Sequence, residues 1–372
     1  MAESRSGRIR ELDGWRGISV LLVILHHCLT FQFPGILLRY PVLQKPIWYA
    51  GPLGVRTFFV ISGFVITKLL IEEERQRGSI SIKGFYIRRV FRIIPAFYVV
   101  LLATALLRIS NVLPGNLRDV AGTGLFLRDT RLMPPDWFTG HAWSLAVEEQ
   151  FYLVFPLFWI LCKRSWRRNV LTVTLMAFLV WSCLADQRIF LRVFPANAVA
   201  GFYCVNIGVM LAMGESQARK IGASLPPVLA LLVAIFAFLR PVPDNAWGNV
   251  VYVVVTPLCI AVLLIYTVSH QGKWASSILV NPIILWIGMV SYSAYLWQEL
   301  FTGSPQVLGS SWIARVLHSP LSLVVALAVI TVSYYCVERP FTRMGRRISQ
   351  RVTAGAAQKP VEALPGASEV MP

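Results

Sequence analysis

The 372-residue sequence predicts an all-α fold, a polytopic transmembrane helical bundle of about ten spans with both termini in the cytoplasm. Three observations predict it. Hydrophobic residues make up 56% of the chain and charged residues only 14%, with a mean hydropathy of +0.61. That is too little charge to clothe a water-exposed surface. Apolar runs such as Ile18–Phe33, Pro227–Leu239 and Val250–Val268 recur along the chain, several near the roughly 20 residues a spanning helix needs. Finally, lysines and arginines come mostly in short clusters between the runs.

Breaks at proline, glycine and charged residues place helices near 17–33, 54–71, 93–107, 143–162, 170–185, 197–213, 226–239, 248–268, 281–300 and 321–337. The first follows Arg5, Arg8 and Arg10 but has no small-residue cleavage site after it, so it reads as an uncleaved span. An even number of spans leaves both termini on one side. That side carries 22 of the Lys and Arg residues outside the spans against 10 on the other, which places the termini in the cytoplasm. Residues 1–345 read as one transmembrane domain. Residues 346–372 lack helical periodicity and read as a disordered cytoplasmic tail. The formal charge of +17 is spread in short clusters, which fits topology and contact with membrane lipids and not nucleic acid. The six cysteines have no paired spacing, so neither a metal site nor a disulfide framework is expected.

Ionisable residues inside apolar spans are costly and mark candidate sites. His27 lies deep in the first span, and Glu148 with Glu149 lies in the fourth, within WSLAVEEQFYLVFP. Arg16 and His27 are 11 residues apart, which is about 20° from eclipsed and about 16 Å along a helix. They share a face at different depths, while His26 points roughly 100° away. Trp143 is expected near the outer surface, with Ser144 and Glu148 one turn apart on one face and Glu148 at the depth of His27. A histidine beside a carboxylate is an oriented base; a helix-to-helix hydrogen bond is the plainer alternative. In FYIRRVFRIIPAFY, Arg89 and Arg92 stand three apart and can converge on one anion, or they pair with lipid headgroups. Ser62–Gly63 in GVRTFFVISGFVIT suggests close helix approach. Ser291, Tyr292, Gln298 and Glu299 in SYSAYLWQEL either line a cavity or satisfy one another.

Taken in order, LDGWRGISVLLVILHH, GVRTFFVISGF, RRVFRIIP, WSLAVEEQFYL, SYSAYLW and VERP resemble the membrane-bound acyltransferase 3 family, bacterial O-acyltransferases that modify surface and extracellular carbohydrates. The resemblance covers most of residues 8–343. It implies a ten-span bundle in the bacterial cytoplasmic (inner) membrane that transfers an acyl group, usually acetyl, from cytoplasmic acyl-CoA to a hydroxyl on a carbohydrate or glycolipid acceptor. Acyl-CoA enters as co-substrate, with no tightly bound cofactor. The family's Arg and His spaced eleven apart match Arg16 and His27, its paired basic residues match Arg89 and Arg92, and its WSL–acid motif matches Trp143, Ser144 and Glu148. His27 is then base or acyl-carrying nucleophile, with Glu148 as its partner. Arg16, Arg89 and Arg92 hold the donor, and Trp143, Ser144 and Tyr292 contact the substrate. Two positions depart from the family. Gln298 stands where a histidine is frequent, and Arg56 stands where an acid is frequent. A transporter or flippase for a glycan or small anion is the competing class, since ten spans with intramembrane His and Glu would serve it too.

Overall fold

A computed structural model describes residues 9–130, 132–184, 196–239, 246–303 and 321–357. Among them sixteen α-helices follow one another without a strand. Helix α1 (Arg10–His27) is prolonged by a π-turn over Cys28–Gln32. Then come α2 (Pro34–Arg39), α3 (Gln44–Arg77), α4 (Ile82–Ile109), α5 (Leu117–Gly124), α6 (Trp137–Gly140), α7 (Ala142–Leu161) and α8 (Arg164–Leu184). Next are α9 (Ala196–Met213), α10 (Glu215–Ser224), α11 (Pro227–Leu239), α12 (Ala246–Ser269), α13 (Trp274–Leu279) and α14 (Pro282–Phe301). The chain closes with α15 (Leu321–Ser333), a π-turn over Tyr334–Glu338, and α16 (Arg339–Ala357).

Local chemistry sets several boundaries. Ser81 caps α4 by accepting from the Gly84 amide at 3.1 Å. Asn281 accepts from the Ile283 amide at 2.9 Å ahead of Pro282, the first residue of α14. Gly78 ends α3 at φ +72°, in the left-handed region that suits glycine.

Each of the ten expected ranges falls on a helix, but fewer of those helices meet the length and apolarity of a span. Six do: Arg10–Gln32, Pro41–Arg77, Ile82–Ile109, Trp137–Leu161, Val251–Ser269 and Leu321–Thr353. A seventh arises if α9 and α10, bent by 90°, count as one. The shortfall has physical causes. With 13 residues, α11 is about 20 Å long, short of a hydrocarbon core of roughly 30 Å. Helix α8 opens on Arg164, Arg167 and Arg168, and α14 carries Ser291, Ser293, Gln298 and Glu299. The chain is therefore a multi-pass membrane protein with about six candidate spans by length and composition. Of the basic residues that set the expected orientation, Arg5, Arg8, Arg131, Arg188, Arg192, Arg240, Arg315 and Lys359 lie outside the described residues. Residues 346–357 of the expected tail are helical, because α16 packs on α4, with Ser349 donating to the Gly84 carbonyl at 3.0 Å and Arg88 donating to Ser349 at 2.8 Å. The remaining tail, 358–372, lies outside the described residues.

Helix α3 is the axis of the bundle, flanked by α1 and α9. Small residues let the backbones meet: a Cβ at Gly63 would lie 2.0 Å from the Val205 carbonyl oxygen, and one at Gly208 would lie 2.0 Å from that of Val60. Phe59, Val60, Phe64, Ile66 and Leu70 of α3 are buried in the core with Phe155, Trp159 and Val205. Leu102, Leu106, Leu153, Leu157 and Leu161 point outward, as lipid contact requires.

A polar cap covers one end. Arg108 at the end of α4 donates to the Asn116 carbonyl and to Asp136, both at 2.6 Å. Arg128 donates to the Pro134 carbonyl at 2.5 Å and faces Asp136 at 3.3 Å. Burial lowers the pKa of the Arg128 guanidinium, against the opposing pull of Asp136. Asn116 and Asp119 form a capping box at the start of α5. This network holds α5 and α6 over the end of the bundle, so that α7 begins beneath them and not at the surface. His141 and Ala142 are accordingly buried.

Candidate functional site

Three cavities lie end to end along α3. The first, of about 710 Å³, is lined by Arg16, Lys68, Arg92 and, on α16, Arg339, Arg343 and Arg346. The second, of about 80 Å³, holds Arg16 and Arg92 again, with Arg89, Ser62, Glu148 and Tyr152. The third, of about 250 Å³, holds His27, Arg56, His141 and Glu299. Ile61 and Val65 are shared by the first pair of cavities, and Val55, Phe59 and Tyr295 by the second pair. Polar groups therefore recur in successive cavities from the Arg10 end of α1 to its His27 end, with shared wall residues between them.

In the middle cavity Glu148 is the acceptor. Ser62 Oγ donates to its Oε1 at 2.9 Å and the Tyr152 hydroxyl to its Oε2 at 3.0 Å. The Arg89 guanidinium lies over the Tyr152 ring, 4.9 Å from its centroid. Tyr292 donates to the Ile93 carbonyl at 2.9 Å. The Ser144 and Tyr295 hydroxyl oxygens are 2.6 Å apart, and both approach the His141 carbonyl at 3.1 Å. The predicted residues Arg16, Arg89, Arg92, Ser144, Glu148 and Tyr292 all line this one cavity.

His27 does not. It lies in the third cavity, where its Nδ1 meets Gln298 Oε1 at 2.6 Å. The amide oxygen can only accept, so Nδ1 carries the proton and Nε2 presents a lone pair. The ring packs edge-on against Trp137, 5.7 Å between centroids, and Trp137 is itself anchored by an indole hydrogen bond to the Glu299 carbonyl at 3.0 Å. His26, expected to point elsewhere, lines the same cavity with its ring 5.0 Å from that of His27. Trp143 also lies here, 5.9 Å from the Phe59 ring, and not beside Ser144 in the middle cavity.

The expected pairing of His27 with Glu148 is not formed. Gly51 of α3 abuts His26, whereas Ser62, which holds Glu148, lies 11 residues further along the same helix, a displacement of about 16 Å. Glu148 therefore stands at the level of Arg16. The misplacement comes from the cap: the depth of Glu148 was counted from an outer surface at Trp143, but α7 starts submerged. The carboxylate on the His27 level belongs to Glu299, which accepts from His141 Nδ1 at 2.6 Å and from the His141 amide at 3.2 Å. His141 is not marked by the sequence reading, while Gln298 and Glu299 are marked there only as candidate cavity residues and Arg56 only as a departure from the family. The available signals were a histidine two residues before Trp143 and consecutive polar residues inside an otherwise apolar span. Among the described residues no group of three or more His, Cys, Asp or Glu side chains is arranged to hold a metal.

A helical membrane bundle with arginines at one end of its cavities and a hydrogen-bonded histidine near the other is the class of protein that the fold and these cavities define. The chain belongs to the acyltransferase 3 family, whose model, described as an acyltransferase domain, matches residues 9–335. A Staphylococcus aureus (strain COL) protein provisionally named an O-acetyltransferase is 29% identical over 376 residues, covering 91% of this chain and 58% of that protein. A Bacillus subtilis protein provisionally named a peptidoglycan O-acetyltransferase is 25% identical, covering 92% of this chain and 56% of its own length. The peptidoglycan O-acetyltransferase of Listeria monocytogenes is also 25% identical, with 91% and 56% covered. The chain thus spans little more than half the length of these relatives. No solved structure matches it.

Proposed function

We propose that this protein is a membrane O-acyltransferase that takes an acyl group, acetyl by analogy with its relatives, from cytoplasmic acyl-CoA to a hydroxyl of an extracytoplasmic or lipid-linked carbohydrate. The observation that supports the reading is the succession of three neighbouring cavities, with Arg16 lining the first two and His27 the third. Both termini then lie in the cytoplasm of a bacterial inner-membrane protein, and α8, α9, α11 and α14 bring the six candidate spans to ten. Peptidoglycan is a candidate acceptor because two relatives carry that name.

In this reading the nucleotide phosphates of the donor meet Arg339, Arg343 and Arg346, which stand four and three apart on one face of α16. The pantetheine arm, roughly 15–20 Å when extended, follows the path past Arg16 and Arg92 into the middle cavity, a distance comparable to the Arg16–His27 separation. The thioester reaches the neighbourhood of His27. Nε2 takes the proton of an acceptor hydroxyl as its oxygen bonds to the thioester carbon. The carbon–sulfur bond then breaks, and the imidazolium returns its proton to the departing thiolate. Alternatively Nε2 attacks the thioester carbon first and expels the thiolate, and the acceptor hydroxyl then takes the acyl group from the acyl-imidazolium while its proton passes to the thiolate. Gln298 fixes the tautomer that either route requires. Glu148, on the Arg16 level, serves the donor channel by holding Ser62 and Tyr152 in place beside Arg89.

Replacing His27 by Ala tests this directly. The purified variant is expected to insert and fold normally and to lose transfer of acetyl from acetyl-CoA to a carbohydrate acceptor. Retained acceptor acylation, or substrate flux across vesicles lacking any acyl donor, would overturn the assignment.

A further inference from the structure

The third cavity, outermost in the reading above, contains one arginine or lysine among its described lining residues, Arg56, and no described side chain neutralises it. Its guanidinium lies over the Tyr252 ring at 4.2 Å from the centroid, and its Nη1 is buried without a hydrogen-bond partner. Glu299, the acid in the same cavity, is held by His141 through both its ring and its amide. A buried guanidinium donor that the protein leaves unmatched is costly unless a ligand supplies the acceptor.

The geometry also says on which side that ligand sits. The Tyr252 ring packs against the Tyr49 ring, 5.2 Å between centroids, and its hydroxyl donates to the Tyr49 carbonyl at 3.4 Å. This fixes the aromatic platform near the outer end of α3, and Arg56 reaches back to it from seven residues further along the helix. The reach is natural, since helical side chains lean toward the N-terminus. Arg56 is thereby drawn away from Arg16, Arg89 and Arg92, toward the mouth opposite the donor.

We propose that Arg56 recognises a carboxylate on the acceptor, so that the acyl group is directed to a hydroxyl of an acidic sugar in preference to a neutral one. This rests on the O-acyltransferase reading above. Stacking on Tyr252 fixes the plane of the guanidinium, whose parallel N–H groups match the two oxygens of a carboxylate. One positive charge answers one negative charge. A phosphate monoester, doubly charged, would call for a second cation that the described lining of this cavity lacks.

The test uses the full chain in nanodiscs with no acyl donor present. Isothermal titration compares trigalacturonate with its methyl ester, which keeps every hydroxyl and removes the charge. The acid is expected to bind at least about tenfold more tightly than the ester, the scale of a charge-assisted hydrogen-bonded contact. Arg56→Gln should erase the difference and Arg56→Lys should keep part of it. Equal binding of acid and ester, binding of neither, a preference that survives Arg56→Gln, or tighter binding of galactose 6-phosphate than of galacturonate would overturn the proposal. A parallel measurement of His27-dependent acetyl-CoA consumption with a panel of acidic and neutral sugars present keeps the two readings apart. Its absence with every sugar, alongside a preserved carboxylate preference, removes the acyltransferase reading and leaves the anion site standing.

Discussion

The hydrogen bond between His27 Nδ1 and Gln298 Oε1, 2.6 Å long, is the one contact that sets the protonation pattern of the proposed catalytic imidazole. Gln298 is 1% exposed. Substituting leucine, close to it in size, removes the acceptor while leaving the packing nearly intact. The buried Nδ1–H then stays unpaired, at a cost of about 1–3 kcal/mol, or its proton moves to Nε2 and blocks the lone pair that does the chemistry. Either way the competent imidazole falls by a factor of about 5 to 150, at 1.36 kcal/mol per tenfold. The expected result for Gln298→Leu is a loss of that size in kcat for acetyl transfer by the purified protein in nanodiscs. The KM for acetyl-CoA should hold, because Arg16 and Arg92 are untouched. Gln298→Glu keeps an acceptor oxygen in place, so it separates loss of the hydrogen bond from loss of packing. A Gln298→Leu rate within about twofold of the parent, or a loss carried wholly by KM, would refute the reasoning.

Two further outcomes follow from the packing. Gly63→Val places methyl groups against the Val205 backbone, where even a Cβ would lie 2.0 Å from the carbonyl oxygen. It should destabilise the bundle by about 1–3 kcal/mol, read as a lowered thermal unfolding midpoint in detergent. An unchanged midpoint would mean that α3 and α9 do not meet there. Asp136→Ala leaves Arg108 and Arg128 without their shared carboxylate, a change expected to cost about 3–5 kcal/mol for a buried pair. Limited proteolysis should then cut the 110–136 segment faster, and transfer should fall as Trp137 loosens over His27; an unaltered cleavage rate would rule out the cap as a stabilised unit.

Hydropathy by itself determined the all-helical membrane class, because the bilayer demands that each crossing segment satisfy its own backbone, and all ten expected ranges fall on helices. It also marked His27, Glu148 and the arginines, since ionisable groups in apolar runs are rare enough to stand out. The eleven-residue spacing of Arg16 and His27 correctly separated them along one helix, because rise per residue is a local property. What only the tertiary structure decided was which groups on different helices meet. Sequence periodicity gives the face of a residue on its own helix, but neither the rotation of that helix against its neighbours nor the depth at which it starts. Glu148 was therefore placed beside His27, when a cap stitched together by Arg108, Arg128 and Asp136 submerges α7 and sets Glu148 on the Arg16 level. For the same reason the partner of His27, 271 residues away in Gln298, and the platform of Arg56 in Tyr252, became visible only once the helices were packed.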